Sequence, residues 1–340
     1  MLSIKVLLKE TEKTKQKLLS LGLYDHSRRL ARRKGFMFLP VTDAAKARKA
    51  FSRAELSETS LPRVQERQGL KGELGKSLTA AETEKLKTAY DRIGDIAIIE
   101  VGEELAKKQR LIAETLLRLN PSIKSVYRKA APHSGEFRVQ KLTWLAGEKK
   151  KEAIYKENNV SLKLDVTKVY FSPRLGNERK RVAEQVRPGE MVMVMFSGCG
   201  PYVCTIAKNT LAKEVWGIEI NPVAHKYAVE NAMLNKLTNV KLMKGDAKKL
   251  APKIKEKFDR ILMPLPKTGE DFLSTALKLA KKGTVVHFYD FQKEAEFGRA
   301  AEKVKAACKK EKLKCRILNI VRCGQYSPYV FRICVDFKVA

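Results

Sequence analysis

From about residue 161 onward, apolar residues fall in short runs separated by stretches of helical spacing. MVMVMF at 191–196 is apolar almost throughout, the pattern of a central strand covered on both faces. GIEI (217–220), VKLMKG (240–245), RILMPL (260–265) and TVVHFY (284–289) come next, with helical stretches at 222–236 and 269–281 between several of them. Strands and helices in alternation predict an α/β domain with a doubly wound, mostly parallel sheet. Two β-branched runs, CRILNIVRCG (315–324) and YVFRICVDFKV (329–339), flank a Tyr326-Ser327-Pro328 turn and are predicted to close that sheet as a hairpin.

The first half is patterned differently. A lysine-rich helical stretch at 10–21, a basic run at 26–34 and the strand-like FMFLPV at 36–41 make a small α+β unit. Residues 61–76, LPRVQERQGLKGELGK, lack apolar periodicity and carry a proline and three glycines, which reads as a linker. Beyond it come a helix-like AAETEKLKTAYDRI (80–93), a strand-like IGDIAIIEV (93–101), a helix over 103–119 and a strand pair, SVYRKA (125–130) and EFRVQKLTWLA (136–146). The predicted division is therefore an N-terminal domain at 1–60, a linker at 61–72, a middle α+β domain at 73–160 and the α/β domain at 161–340. There are no internal repeats and no low-complexity tract.

Charge narrows the function. Lys and Arg number 69 against 38 Asp and Glu, a net +31 that repels itself unless a polyanion or a salty medium screens it. Nucleic acid is the expected partner, and a surface adapted to salt or heat the alternative. No apolar run approaches the ~18 residues of a membrane span, and the first residues turn charged too soon for a signal peptide. A soluble, cytoplasmic, monomeric protein with no membrane partner is predicted. The six cysteines show no CxxC pair, which argues against zinc, and no metal is expected. They are predicted to be free thiols, with Cys308/Cys315 and Cys323/Cys334 as pairs that would bond only in a heat-adapted organism.

The turn after MVMVMF reads Ser197-Gly198-Cys199-Gly200-Pro201. Gly198 and Gly200 let the backbone bend sharply at a strand's carboxyl end and approach a ligand beside the next helix N-terminus. Glu219 ends the following strand, where a carboxylate accepts both hydroxyls of a ribose. Asp246 ends the third, where one meets an adenine amine. That order is the order of an S-adenosylmethionine site; a dinucleotide fingerprint is absent, since Tyr202 and Val203 stand where a third glycine belongs. The competing reading makes Glu219 and Asp246 caps of the helices that follow. Pro264 and Pro266 stiffen the loop after the fourth strand, suiting it to wall a flat pocket.

Taken in order, SGEFRVQKLTWLAGE (134–148), IYKENN (154–159), DVTKVYFSPRLGNERKR (165–181), FSGCGPY, EINP, GDA and PLPK resemble the archaeal and eukaryotic tRNA (guanine-37 N1) methyltransferases. The resemblance runs from about residue 94 to the end and reaches the N-terminal unit more weakly. It implies a Rossmann-like class I methyltransferase domain preceded by two small α+β domains, S-adenosylmethionine as cofactor and tRNA as partner. Glu178 matches the family's proposed general base, and Arg138 the arginine facing guanine O6. Tyr170 and Phe196 join the cofactor pocket, with Pro173, Arg174 and Lys267 toward the substrate.

The chemistry agrees, because guanine N1 is protonated at neutral pH: a base must take that proton while a cation steadies charge moving onto O6. On the residues alone, Arg138 also reads as a strand-surface phosphate contact, and Glu178 as the partner of Arg174 or Arg181 one helical turn away. Val194 and Pro264 stand where the common family form has aspartate and asparagine. Both departures, with the tail HFYDFQKEAE, resemble the archaeal subgroup in which some members also methylate a tricyclic wyosine intermediate, 4-demethylwyosine, at carbon 7. Two rivals stand beside this reading, a wyosine-pathway aminocarboxypropyl transferase and a non-catalytic RNA-binding protein on the same fold.

Overall fold

A computed structural model describes residues 2–52, 55–63, 69–131, 135 and 137–340. The chain forms two compact units that meet in sequence between Gly69 and Leu70. In the first unit, β1 (Leu2–Leu7), α1 (Thr11–Ser20), β2 (Ala31–Arg33), β3 (Phe36–Pro40), α2 (Ala44–Ala50) and β4 (Glu55–Glu58) succeed one another. Its antiparallel sheet has the order β2-β3-β1-β4, and Ile4, Val6 and Leu39 pack with Leu18 of α1 and Ala47 of α2.

The second unit opens with α3 (Leu70–Leu74), α4 (Ala80–Lys85), β5 (Tyr90–Ile93), β6 (Ile96–Ile99), α5 (Gln109–Leu119), β7 (Ser125–Lys129) and β8 (Leu142–Gly147). The pleat of β6 explains its unbroken apolar run. Ala97 and Ile99 pack under α5, while Ile96 and Ile98 face the α/β domain, meeting Leu164, Val166, Val169, Cys199, Ala224 and Tyr227. A hairpin, β9 (Glu152–Glu157) and β10 (Val160–Asp165), turns at Asn158-Asn159, both left-handed (φ 42° and 60°), as a tight two-residue turn requires.

The α/β domain continues with α6 (Gly176–Ala183), β11 (Met191–Met195), α7 (Pro201–Asn209), β12 (Glu214–Glu219), α8 (Pro222–Leu234), β13 (Val240–Lys244), α9 (Ala247–Leu250), β14 (Phe258–Met263), α10 (Leu273–Leu279), β15 (Ala280–Lys293), α11 (Phe297–Lys310), β16 (Cys315–Ser327) and β17 (Val330–Val339). The seven-stranded sheet has the order β13-β12-β11-β14-β15-β17-β16. Strands β11 to β15 are parallel and the β16–β17 hairpin is antiparallel. Winding reverses between β11 and β14, so a cleft opens at their carboxyl ends.

Several expectations need correction. The expected linker at 61–72 runs into structure: α3 straddles its end, because Leu70 and Leu74 bury in the core of the middle domain, while residues 64–68 lie outside the described residues. The helix expected over 80–93 starts on a Thr79 capping box but stops at Lys85, since Tyr90–Ile93 pairs as β5 with β6. At the Gly94 turn of that pair an added Cβ would lie 2.5 Å from the Ile154 carbonyl. The helix over 103–119 begins as a 3-10 helix at Glu103–Lys108, and the one over 269–281 yields to β15 at Ala280. The strand EFRVQKLTWLA starts only at Leu142; Arg138 sits in the preceding loop, and Glu136 lies outside the described residues. The boundary expected at 160/161 falls within the hydrogen-bonded β9–β10 hairpin. All six cysteines are free.

Candidate functional site

The cleft is built on left-handed backbone. Phe196, Gly198 and Gly200 lie beyond β11 with φ of 60°, 58° and 86°, and Gly200 hands the chain to Pro201 at the first position of α7. Phe196 packs edge-on against Phe272, ring centroids 4.8 Å apart, and Lys248 lies over the Phe272 ring. Nothing in the sequence points to Phe272, which is partly buried against the core of the sheet beside the glycine turn. Those two prolines are half-buried and Lys267 is exposed.

Glu219 is 8% exposed. Its Oε2 accepts the Gly198 N–H and its Oε1 the Asn221 N–H, each at 2.7 Å. Burial pushes its carboxyl above the ordinary value, against the pull of those backbone donors. A carboxylate accepts about four hydrogen bonds, so backbone donors do not exhaust it, and the remaining capacity suits a ribose diol. Glu219 does not cap the following helix; Asn221 does, accepting from Val223 and Ala224. Asp246 does act as a cap, accepting the Lys248 N–H at 2.9 Å. Gly245 donates to the Glu219 carbonyl at 2.8 Å, lacing the two acidic turns together. An adenosyl group fits here on one further observation: a Cβ added at Gly198 would meet open space, so the turn leaves room beside it for a ligand.

The segment 166–175 bridges the strand ends. Asn221 donates its amide to the Lys168 carbonyl at 3.0 Å on the β12 side, and Arg332 of β17 donates to the Tyr170 hydroxyl at 3.0 Å. The β9–β10 turn anchors the start of α6: Asn158 donates to the Gly176 carbonyl (2.9 Å), and Glu157 pairs with the buried guanidinium of Arg179. Pro173 starts a short 3-10 turn, half-buried. Arg174 binds Asp91 of the middle sheet at 2.7 Å while remaining 65% exposed, so it ties two domains together as well as facing solvent.

Glu178 lies on α6, 6% exposed. Of its two sequence-level partners, Arg181 is the one it takes: Oε2 accepts from Nε and Oε1 from Nη2, both at 2.7 Å. Tyr289 also donates to Oε1 at 2.6 Å and itself accepts from Tyr202 at 2.8 Å. Arg181 continues to Asp336 (2.6 Å), and Asp336 to His287 Nδ1 (2.6 Å). Arg260 reaches His287 Nε2 at 2.8 Å and pairs with Glu190. Arginine only donates, so Nε2 accepts and Nδ1 carries the proton. Burial lowers the His287 pKa, in keeping with a neutral ring. Burial alone would raise the Asp336 carboxyl, but His287 and Arg181 hold it well below the usual range. Cys334, His287 and Asp336 bring three metal-type ligands within 4.8 Å, yet two guanidiniums flank them, which disfavours a cation. Arg138 occupies the loop before β8, half-buried and left-handed (φ 52°).

Of this network the sequence points to Arg181 as a partner of Glu178, but not to Tyr202, Tyr289, His287 or Asp336. The available signal was polar residues sharing a face of a buried strand, His287 with Tyr289 on β15.

Three family profiles match the chain: the tRNA methyltransferase 5 N-terminal domain over residues 3–49, the TYW2 N-terminal domain over 70–150 and the TRM5/TYW2 methyltransferase domain over 153–318. The tRNA (guanine(37)-N(1))-methyltransferase Trm5b of Pyrococcus abyssi is 36% identical over 340 residues, covering 100% of this chain and 99% of that protein. Its crystal structure superposes with a TM-score of 0.76, with the same coverage. The structure of aTrm5 in complex with tRNALeu gives a TM-score of 0.71 at 29% identity, covering 100% of both chains. The tRNA (guanine(37)-N(1))/4-demethylwyosine(37)-methyltransferase Taw22 of Nanoarchaeum equitans is 34% identical over 268 residues, 64% of this chain and 88% of that protein.

Proposed function

The chain belongs to the TRM5/TYW2 methyltransferase family, and from that premise we propose that it is an S-adenosylmethionine-dependent tRNA (guanine(37)-N(1))-methyltransferase. The observation that carries this is the similarity to Trm5b along the whole chain, the first unit included. The aminocarboxypropyl transferase is disfavoured by that unit, and a catalytically empty fold by the intact Gly198, Glu219 and Asp246 turns.

Bound in the cleft, the cofactor supplies an electrophilic methyl group. Glu219 would accept hydrogen bonds from its ribose hydroxyls, Asp246 would hold the adenine amine, and Phe196, Tyr170, Pro264 and Pro266 would exclude water around it. Glu178 takes the guanine N1 proton, at Oε2. Oε1 takes hydrogen bonds from both Arg181 and Tyr289 while Oε2 takes one from Arg181, with the Cys323 thiol also reaching the carboxylate, so Oε2 is the oxygen less engaged by Arg181 and Tyr289. A positioned base of this kind contributes about 10²–10⁴-fold. Arg138 steadies the charge that moves onto O6, and Pro173, Arg174 and Lys267 contact the substrate. The first unit holds a distant part of the tRNA and the middle domain presents the base. No described helix is long and apolar enough to cross a membrane, and the protein is proposed to act in the cytoplasm as a monomer.

The test is nucleoside mass spectrometry of an unmodified tRNA transcript treated with enzyme and cofactor. 1-Methylguanosine should form, and disappear when guanine 37 is replaced by adenine. Product that persists in the replaced transcript, or an aminocarboxypropyl adduct instead, would overturn the assignment.

A further inference from the structure

Strands β15, β17 and β16 outgrow the rest of the sheet. Strand β14 ends at Met263 beside Phe288, whereas β15 runs on to Lys293, paired with Val330 of β17. Five further residues at ~3.3 Å each raise a wall about 17 Å above the cleft edge. Its crest is the turn Ser327-Pro328-Tyr329-Val330.

Two tyrosines are exposed there, Tyr326 at 59% and Tyr329 at 82%. Tyr326 stacks on Phe291, ring centroids 4.0 Å apart and planes inclined by 29°. Arg332 lies over the other aromatic of that pair, Phe291, and donates to Tyr170. Phe291 is two residues beyond Tyr289 on the same strand, hence on the same face, and Tyr289 holds Glu178. The stack therefore stands roughly 7 Å along the strand from the anchor of the proposed base. Irregularities between Arg322 and Gly324 and between Gln325 and Ser327 re-aim the end of β16. Tyr329 occupies the third position of its turn at φ 61°, where glycine or asparagine sits without strain. A bulky aromatic held there, and turned out to solvent, costs the fold stability and adds little packing.

We propose that Tyr326 and Tyr329 form a stacking platform for the unpaired nucleotides that neighbour the target guanine. An extruded guanine leaves its neighbours unstacked, and aromatic faces beside cations are what single-stranded RNA takes in exchange. Arg332, over Phe291, and the exposed Lys293 at the end of β15 put positive charge on the wall, while Arg322 is paired with Glu294; the chain as a whole carries a net +31. The proposal rests on the tRNA reading above.

The experiment places 2-aminopurine in a tRNA transcript at position 36 or 38 and compares wild type with Tyr326→Ala, Tyr326→Phe and Tyr329→Gly. With wild type, fluorescence at one of the two positions should be quenched on binding. Tyr326→Ala should lose that quenching and raise the tRNA KM by about 10-fold, the scale of one lost stack, with S-adenosylmethionine affinity unchanged; Tyr326→Phe should restore both. Tyr329→Gly should melt at a higher temperature yet bind tRNA more weakly, opposite signs that a purely structural tyrosine would not give. Unaltered KM and quenching in both Tyr326→Ala and Tyr329→Gly, from a wild type that methylates guanine 37, would overturn the platform and leave the patch to a protein partner. A wild type that does not methylate guanine 37 would instead refute the tRNA reading itself.

Discussion

Cofactor binding should release a proton. Free Glu219 sits desolvated beside two backbone donors, with its carboxyl raised above the ordinary value by burial. Two ribose hydroxyls donating to its remaining acceptor directions would favour the ionised form and pull the pKa down. Affinity for S-adenosylmethionine should therefore rise with pH through the raised carboxyl pKa and level off above it. The stability linkage has the opposite sign: a carboxyl whose pKa is raised on folding makes the free protein less stable as pH rises through the same window. Glu219→Gln withdraws the charge and one acceptor oxygen. A hydrogen bond to a charged group is worth about 1.5–3 kcal/mol, so affinity should fall roughly 10- to 100-fold, and the pH dependence should flatten. Calorimetry in two buffers of different ionisation enthalpy counts the proton directly. A Glu219→Gln variant that binds within twofold of wild type, or a wild type that releases no proton at any acidic pH, would refute the diol assignment.

Tyr289→Phe removes one donor from Glu178 and leaves the buried Tyr202 hydroxyl without its acceptor, so single-turnover methylation should slow by about tenfold; Glu178→Gln should slow it by about 10² or more with both substrates still bound, and an undiminished rate in Glu178→Gln would assign the proton to another group. Affinity for tRNA should fall steeply with salt as condensed counterions are released, and deleting the first compact unit should flatten that slope without touching cofactor affinity; an unchanged slope would detach this unit from tRNA binding. Pro264 offers a rigid apolar edge and a carbonyl where an asparagine would add a side-chain donor, so the pocket should reject a modified base less strongly. Purified enzyme given tRNA bearing 4-demethylwyosine should transfer label into the tricyclic nucleoside, and no label above background beside brisk guanine methylation would confine it to one activity.

What the chain discloses locally, it discloses well. Strand β11 is apolar on both faces, the turn glycines adjoin it, and Glu219 and Asp246 each close a short strand, so pattern and chemistry sit within a few residues of each other. The environment of Glu178 does not work that way. Tyr289 lies 111 residues away and the Arg181 partner Asp336 lies 155 away from it. No periodicity links them; only the antiparallel return of β17 beside β15 brings Asp336 opposite His287. The overlong helix at 80–93 fails for a related reason: local helical spacing loses to the pairing of Tyr90–Ile93 with β6, a tertiary gain that a single window does not contain.

Cys199, in the middle of the glycine turn and fully buried, packs with Ile93, Ile96, Ile98 and Tyr127 of the middle sheet. The underside of the cofactor loop is thus furnished by a neighbouring domain. Cut away from the middle domain, the α/β domain would keep this bend but lose the apolar cover around Cys199, so the two are expected to unfold together, while the first unit closes a core of its own.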